Sequence, residues 1–209
     1  MSLLEVQDIR VAYGESEVVH GISLHVEKDE IVCMLGRNGV GKTTSIKAIM
    51  GLLPAKSGKI IFDGHDITNM KPYNIARLGM GYVPQGRMIF PKLTVEENLQ
   101  SGTLVRGHGV QTIPSELFEW FPVLHDRLSQ KGGTLSGGEQ QQLAIARCIA
   151  GNPSFVLLDE PSEGIQPNIV QRIREIIKQI SREKGITFLL VEQNVKFCLD
   201  CGMRGYIME

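Results

Sequence analysis

A glycine-rich segment near the start of the chain combines residue types that can bind phosphate. Residues 36–43 are Gly-Arg-Asn-Gly-Val-Gly-Lys-Thr and match the pattern G-x-x-x-x-G-K-[ST] in full. Glycines let the backbone curl so that consecutive N–H groups point at phosphate oxygens, and the helix that follows adds its positive end. Lys42 can reach the β- and γ-phosphates of a nucleotide, and the Thr43 hydroxyl can bind Mg²⁺. The other predicted nucleotide contacts are Gly36, Asn38, Gly39, Gly41 and Thr44.

Two adjacent carboxylates follow a short apolar run and could complete such a site. Residues 155–158 are typical of a strand buried on both faces, and Asp159 and Glu160 stand at its carboxyl end. Asp159 could hold Mg²⁺, and Glu160 could activate a water molecule for attack on the γ-phosphate. Two acids that only cap a core strand are the structural alternative. The complete phosphate-binding loop favours catalysis, because metal-assisted phosphoryl transfer needs such groups.

The hydrophobic pattern predicts the elements that must position these groups. Strands are predicted over residues 3–11, 21–26, 30–35, 59–62, 80–83, 155–158 and 186–191. Helices are predicted over residues 42–50, from 94 towards 99, over 114–120 and 138–150, and from 167 onwards. The first two strands would be antiparallel, whereas the later alternation of strands and helices favours a mainly parallel sheet with ligands at its carboxyl edge.

The segment of residues 86–151 is predicted to be an inserted helical lobe. The chain is then one α/β domain over residues 1–209, with its core formed by residues 1–85 and 152–209.

The bulk composition excludes several classes of protein. The chain has 209 residues, 42% hydrophobic and 22% charged, with a formal net charge of −1. Such a balance gives no general attraction to nucleic acid, which is not expected as a partner. No apolar stretch approaches the roughly 20 residues that span a bilayer, and the N-terminus lacks the pattern of a signal peptide. A cytosolic protein is expected, with any membrane role exerted through a partner.

The four cysteines do not predict a disulfide framework in a chain of this length. Cys198 and Cys201 form a C-x-x-C pair, which is compatible with redox chemistry or with half of a metal site. No second Cys/His pair stands at ligand spacing, so structural burial is the favoured interpretation.

A second glycine-rich segment resembles the signature of a known family. Residues 135–141 are Leu-Ser-Gly-Gly-Glu-Gln-Gln, and they are similar to the motif L-S-G-G-[EQ] of ABC ATPases, which ordinary P-loop enzymes lack. Ser136, Gly137 and Gly138 lie just ahead of a predicted helix and would form a second anion-binding helix terminus. In the family this terminus faces the ATP molecule held by the other subunit. A plain glycine turn before a helix is the structural alternative.

The resemblance covers nearly the whole chain and implies its architecture and cofactors. It implies a P-loop NTPase of ABC type, α/β in class, with a mainly parallel core sheet, an N-terminal antiparallel β subdomain and an inserted α-helical lobe. It also implies that the chain binds ATP and Mg²⁺, hydrolyses ATP, and works in a dimer that sandwiches the nucleotides.

Two further site residues follow from the resemblance alone. Tyr13 stands where the family stacks an aromatic ring on adenine, although a lone tyrosine on a strand can equally be a strand residue. Gln85, in Tyr-Val-Pro-Gln at residues 82–85, matches the loop glutamine that touches Mg²⁺ and the attacking water. The same loop joins the catalytic core to the helical lobe.

Two positions depart from the family pattern. Gln193 stands where the family usually has a histidine that contacts the γ-phosphate, and Gln166 replaces an aspartate in a loop that crosses the dimer interface. A glutamine amide can donate to phosphate but cannot become cationic. We therefore expect a heterodimer with a related subunit that carries the usual residues, with self-association as the alternative. Glu192 adds a carboxylate beside Gln193, and the sequence does not define its role.

Three stretches resemble importers of branched-chain amino acids, amides and urea, namely residues 84–90, 138–144 and 159–167. Within them, residues 163–167 are most similar to the urea-importer subunit. The implied partners are transmembrane permease subunits, which would dock on residues 86–93, and indirectly a substrate-binding protein. Burial in the core is an equal alternative for each apolar residue of that stretch. The implied location is the cytoplasmic face of the inner or plasma membrane.

Two other functions stay open at this point. A non-transport ABC ATPase acting on DNA or ribosomes usually carries coiled coils, a second ATPase domain or basic arms, and none is present in this sequence. A nucleotide-dependent regulatory module with weak hydrolysis is disfavoured by Glu160, although Gln193 leaves room for it. Residues 204–209 resemble the start of a final hairpin.

Overall fold

The computed structural model describes residues 2–106, 109 and 112–209. The strands are β1 (Ser2–Tyr13), β2 (Ser16–Glu27), β3 (Ile31–Gly36), β4 (Ala55–Phe62), β5 (His65–Asp66), β6 (Met80–Val83), β7 (Phe155–Asp159), β8 (Thr187–Glu192) and β9 (Arg204–Met208). The helices are α1 (Lys42–Ile49), α2 (Pro72–Arg77), α3 (Val95–Thr103), α4 (Glu116–Trp120), α5 (Pro122–His125), α6 (Gly137–Ala150), α7 (Pro167–Lys184) and α8 (Val195–Cys201). Short 3₁₀ turns occupy Leu104–Arg106 and Gly132–Thr134.

The strands form two sheets of different character. The first is antiparallel and has the order β2-β1-β4-β5. The second is parallel and has the order β6-β7-β8-β3-β9. Both central strands β7 and β8 are buried at every residue, as expected for a parallel sheet covered on both faces. This architecture confirms the predicted fold class.

The parallel sheet separates two hydrophobic clusters. Phe155 and Leu157 of β7 point towards α1 and the antiparallel sheet, whereas Val156 and Leu158 point towards α6 and α7. The alternation follows from the twofold period of a strand, which sends successive side chains to opposite faces. The phosphate-loop helix α1 is thereby held between the two sheets.

Helix α7 covers the other face of the parallel sheet with a stripe of isoleucines. Its fully buried members are Ile173, Ile176, Ile177 and Ile180. Their spacing places them on one side of a helix with 3.6 residues per turn. The helix begins with Pro167 at its first turn and ends at Gly185, which adopts φ +64°.

The segment between β6 and β7 contains helices α3 to α6. Helices α3 and α6 approach each other closely at Gly102, where an added Cβ would lie 2.0 Å from the Arg147 carbonyl oxygen. Buried Asn98 ties residues 90–94 to α3, because its side-chain amide donates to Phe90 O and Thr94 O and its oxygen accepts from Phe90 N. Helix α4 begins at Glu116, two residues after the predicted start, with Ser115 as its N-cap.

Helix α8 carries the C-x-x-C pair in an apolar environment. Cys198 and Cys201 are buried and free, and burial raises the pKa of the Cys201 thiol to about 12. Among the described residues, no three or more His, Cys, Asp and Glu side chains are grouped so that they could hold a metal ion. Both side chains are buried, as the structural interpretation of this pair expects.

Strand β9 forms one edge of the parallel sheet and pairs with β3. The hairpin expected to follow it stays a prediction. Within the described ranges, no helix combines the length and apolar character that crossing a membrane requires.

Candidate active site at the carboxyl edge of the parallel sheet

The phosphate loop is the turn between β3 and α1. Gly39 and Gly41 adopt φ +89° and +95°, a backbone conformation that residues with a side chain rarely enter. An added Cβ at Gly41 would also lie 3.0 Å from the Val18 carbonyl oxygen. Glycine is thus required at position 41 both by the backbone angle and by the close approach of β2.

Lys42 opens α1 and is 4% exposed. Its Nζ donates to Gly36 O at 2.8 Å and to Arg37 O at 2.9 Å, and lies 3.5 Å from Oε1 of Glu160. A buried ammonium is costly unless hydrogen bonds and an opposite charge surround it, and here both do. The Lys42 ammonium therefore lies where a phosphate bound by the loop could contact it.

Asp159 and Thr43 face each other across the loop. The Thr43 hydroxyl donates to Oδ1 of Asp159 at 3.0 Å, while Oδ2 of Asp159 is buried without a hydrogen-bond partner. Burial raises the pKa of Asp159, and the bond from Thr43 only partly offsets this rise. An unpartnered carboxylate oxygen beside a hydroxyl is a donor set that fits Mg²⁺, which prefers oxygen ligands.

Two neighbours of Asp159 come from the strand β6 and the residues after it. The buried Tyr82 hydroxyl has no hydrogen-bond partner, and burial together with the Asp159 charge raises its pKa. The backbone N–H of Gln85 lies close enough to lower the pKa of Asp159. Gln85 therefore stands beside the candidate metal site, although its side-chain amide donates to Oε2 of Glu163 at 2.9 Å.

Glu160 contacts both Lys42, next to the phosphate loop, and Gln193, which follows β8. It adopts φ +48°, a left-handed conformation that is uncommon for a residue with a side chain, and its backbone N–H donates to Val191 O at 2.8 Å. Its side chain is buried, accepts from Nε2 of Gln193 at 2.9 Å, and is ion-paired with Lys42. Backbone strain of this kind persists where the surroundings fix it, as they do at functional sites.

The second glycine-rich segment forms a well-capped helix start. Ser136 is the N-cap of α6 in a capping box with Glu139, and its side chain has its hydrogen bond within this turn. Added Cβ atoms would lie 3.0 Å from the Arg87 guanidinium at Gly137 and 2.8 Å from Ile169 at Gly138. The described contacts do not bring Ser136 together with Lys42 or Glu160.

Tyr13 is the last residue of β1 and is 50% exposed. Such exposure leaves its ring available for stacking. The role predicted for it stays a prediction.

Three residues near the site had no assigned role in the sequence. Glu163 holds the Gln85 amide, and Arg87 packs on Gly137 with its backbone at φ +72°. Glu192 is 2% exposed at the end of β8, and burial raises its pKa. Local sequence does not reveal their contacts, because each residue contacts a distant segment.

The fold and this site define a class of protein. A phosphate loop and an acidic strand end meet at the carboxyl edge of a parallel sheet, and a separate Ser-Gly-Gly helix start lies beyond them. This is the arrangement of a P-loop ATPase of ABC type.

Comparison with known proteins defines the family. The profile of the family described as "ABC transporter" matches residues 19–163. The chain is 41% identical over 208 residues to the high-affinity branched-chain amino acid transport ATP-binding protein BraG of Pseudomonas aeruginosa. This match covers 99% of this chain and 89% of that protein. It is 40% identical over 212 residues to the lipopolysaccharide export system ATP-binding protein LptB of Haemophilus influenzae, covering 100% of this chain and 87% of that protein.

A solved structure agrees with these relatives. The ADP conformation of MJ1267, an ATP-binding cassette of an ABC transporter, superimposes with a TM-score of 0.88 at 28% identity and covers 100% of this chain and 87% of that chain. The chain belongs to the ABC transporter family of ATP-binding cassettes. It is an ATPase subunit of a transporter.

The raised pKa of Asp159 predicts how its charge affects stability. A carboxyl group whose pKa is raised on folding favours the folded state when protonated, so this contribution is lost as the pH rises through the raised pKa. We expect Asp159→Asn to raise the melting temperature of the nucleotide-free chain at pH 7.5 by about 2–4 °C, the change that about 1 kcal/mol of stability produces in a chain of this size. The gain should shrink as the pH is lowered. Thermal unfolding in EDTA measures both effects.

The control is Asp66→Asn, since Asp66 is exposed and its hydrogen bonds with Thr68 lower its pKa. This variant should show no gain at pH 7.5. A lower melting temperature for Asp159→Asn would contradict the prediction.

Proposed function

We propose that this chain powers transport as one half of a dimer that sandwiches two ATP molecules. Lys42 holds the nucleotide of its own subunit, and Ser136 contacts the nucleotide of the partner. The supporting observation is that one chain carries two anion-binding helix starts, at α1 and at α6, whose side chains make separate contacts. A helix start that lies apart from the chain's own phosphate loop is available to a phosphate of the partner's nucleotide.

Each site residue has a role in this proposal. Lys42 exchanges its carbonyl partners for the β- and γ-phosphates, which the backbone N–H groups of the loop also bind. Glu160 accepts a proton from the attacking water, and Gln193 donates to the γ-phosphate. Tyr13 stacks on the adenine. The residues that would hold Mg²⁺ are Thr43, Gln85 and Asp159, and the cation would neutralise charge on the phosphates. The remaining contacts are made by Gly36, Asn38, Gly39, Gly41, Thr44, Gly137 and Gly138.

Removing the base should separate binding from turnover. We expect Glu160→Gln to lower the rate of phosphate release by about 100-fold or more, because an amide cannot accept the proton of water. The affinity for ATP should stay within about threefold, since the phosphate loop is intact. Phosphate release and fluorescent-nucleotide binding measure the two effects.

Glu175→Gln is a matched control, because this carboxylate lies on the exposed side of α7. Unchanged phosphate release by Glu160→Gln would refute the catalytic assignment.

The dimer is proposed to be a heterodimer. The amide of Gln193 cannot carry the positive charge that a histidine offers to the developing phosphate charge, so this site stabilises that charge less. Gln166 precedes Pro167 in the loop that would face the partner, so its effect falls on the partner's site. A related subunit with the usual residues would compensate for both.

The heterodimer proposal predicts slow turnover by the chain alone. We expect the chain alone to hydrolyse ATP slowly and without cooperativity in ATP concentration. The double substitution Gln193→His with Gln166→Asp should raise the rate of hydrolysis roughly tenfold, because it restores a charge-assisted contact. Steady-state ATP hydrolysis against ATP concentration measures this. Gln7→His on β1 controls for the added imidazole. A fast and cooperative wild-type chain would refute the proposal.

The permease subunit is proposed to dock on the surface that includes residues 86–93, at the cytoplasmic face of the membrane. Met88 and Phe90 are 65% and 48% exposed there. Phe90 borders an apolar groove of about 500 Å³ between the strand β6 and the 3₁₀ turn after α3. Arg147 lies 4.9 Å from the centre of the Phe90 ring, and Asn98 fixes the Phe90 backbone. We also propose that residues 86–151 form a helical lobe and that residues 1–85 and 152–209 form the core.

The transported substrate is proposed to be a small polar nitrogen compound, namely a branched-chain amino acid, an amide or urea. The similarity to BraG supports import, and residues 163–167 support urea within that group. The similarity to LptB, at 40% identity against 41%, makes lipopolysaccharide export the second candidate.

Uptake by cells that lack the gene should distinguish these substrates. Under the import proposal, loss of the gene removes uptake of radiolabelled leucine or urea, and the wild-type gene restores it. A gene carrying Glu160→Gln should not restore it, because uptake depends on ATP hydrolysis. Unchanged uptake together with lipopolysaccharide retained in the inner membrane would favour the export candidate.

A further inference from the structure

Glu192 is a buried carboxylate that the proposed chemistry does not use. It ends β8 and is 2% exposed, close to Asp159 and Glu160, which are 1% and 6% exposed. In the described part of the chain, no lysine, arginine or histidine is ion-paired with it, whereas Glu160 has Lys42. Burial of a carboxylate without a cation is costly, so its hydrogen bonds must compensate.

Two backbone N–H groups from different segments provide these hydrogen bonds. Ser162 N donates to Oε1 of Glu192 at 2.8 Å, and Asn194 N donates to Oε2 at 3.3 Å. The carboxylate therefore uses one oxygen for each segment. A glutamine at this position has one acceptor oxygen and would place its NH₂ group against an N–H donor.

The two donors, Ser162 and Asn194, are close in sequence to Glu160 and Gln193, which form the centre of the site. Ser162 lies two residues after Glu160, and Asn194 directly follows Gln193. The Gln193–Glu160 hydrogen bond of 2.9 Å thus joins the same two segments that Glu192 joins through the backbone. The loop of residues 161–166 continues to Glu163, which holds the side chain of Gln85 at 2.9 Å.

We propose that Glu192 is a positioning residue for ATP hydrolysis. It fixes the loop of residues 161–166 to the segment of residues 193–194, and so keeps Gln193 against Glu160 while the loop faces the partner subunit. The inference rests on the proposed function, since it assumes that Glu160 and Gln193 act on the γ-phosphate. It adds that a carboxylate without contact to nucleotide sets their geometry.

The test compares Glu192→Gln and Glu192→Ala with the wild-type full chain. We expect kcat to fall about tenfold in the glutamine variant and about 100-fold in the alanine variant, with KM for ATP within about twofold, because the loss affects geometry and not binding. The melting temperature of Glu192→Gln should stay near the wild-type value, because removal of a buried charge offsets the hydrogen bond that is lost. Amide hydrogen exchange of Ser162 and Asn194 should be at least about tenfold faster in Glu192→Ala. Glu175→Gln serves as the control with no change in any readout.

Several results would overturn the inference. One is an unchanged kcat in both variants, and another is a fall in kcat that follows a fall in melting temperature, which indicates a structural role only. Unchanged exchange of Ser162 and Asn194 in Glu192→Ala would also overturn it. The exchange measurement needs no turnover, so it decides this inference even if the chain alone hydrolyses no ATP. A chain that binds no ATP would instead refute the proposed function.

Discussion

The structure depends on keeping charged groups out of water at the carboxyl edge of one parallel sheet. Lys42, Asp159, Glu160 and Glu192 are all at most 6% exposed, and a single cation stands among three carboxylates. The free-energy cost of burying these charges is offset by hydrogen bonds to the backbone, the Lys42–Glu160 ion pair and the Gln193 amide. Burial, with a smaller contribution from the Glu160 charge, raises the pKa of Asp159, and one of its carboxylate oxygens has no hydrogen-bond partner, so a divalent cation would balance the charge there.

Hydrophobic layers on either side hold this edge in place. β7 and β8 are covered by α1 and the antiparallel sheet on one face and by α6 and α7 on the other, so the strand ends cannot separate without exposing two cores. The left-handed conformation of Glu160 is maintained by this packing and by its hydrogen bond to Val191. A strained residue in such surroundings is a fixed part of the site.

Polar contacts continue from this rigid edge into the loops. Gln193 and Glu192 connect β8 to the residues after β7, and Glu163 connects those residues to Gln85. Beyond Gln85, Arg87 packs on the helix start of α6. The segments proposed to contact nucleotide, partner and permease thus form one network of contacts.

The sequence by itself determined the fold class and the chemistry of the local motifs. Hydrophobic period, glycines and caps are properties of neighbouring residues, so β3, α1, α6 and α7 could be predicted within a few residues, as could the phosphate loop and the acidic end of β7. The strand order and the pairing of β9 with β3 are relations between distant segments and came from the tertiary structure. So did the ion pair of Lys42 with Glu160, the unpartnered oxygen of Asp159 and the two hydrogen bonds of Glu192. Each of these depends on burial and on which strand ends lie side by side, and packing of the whole domain decides both.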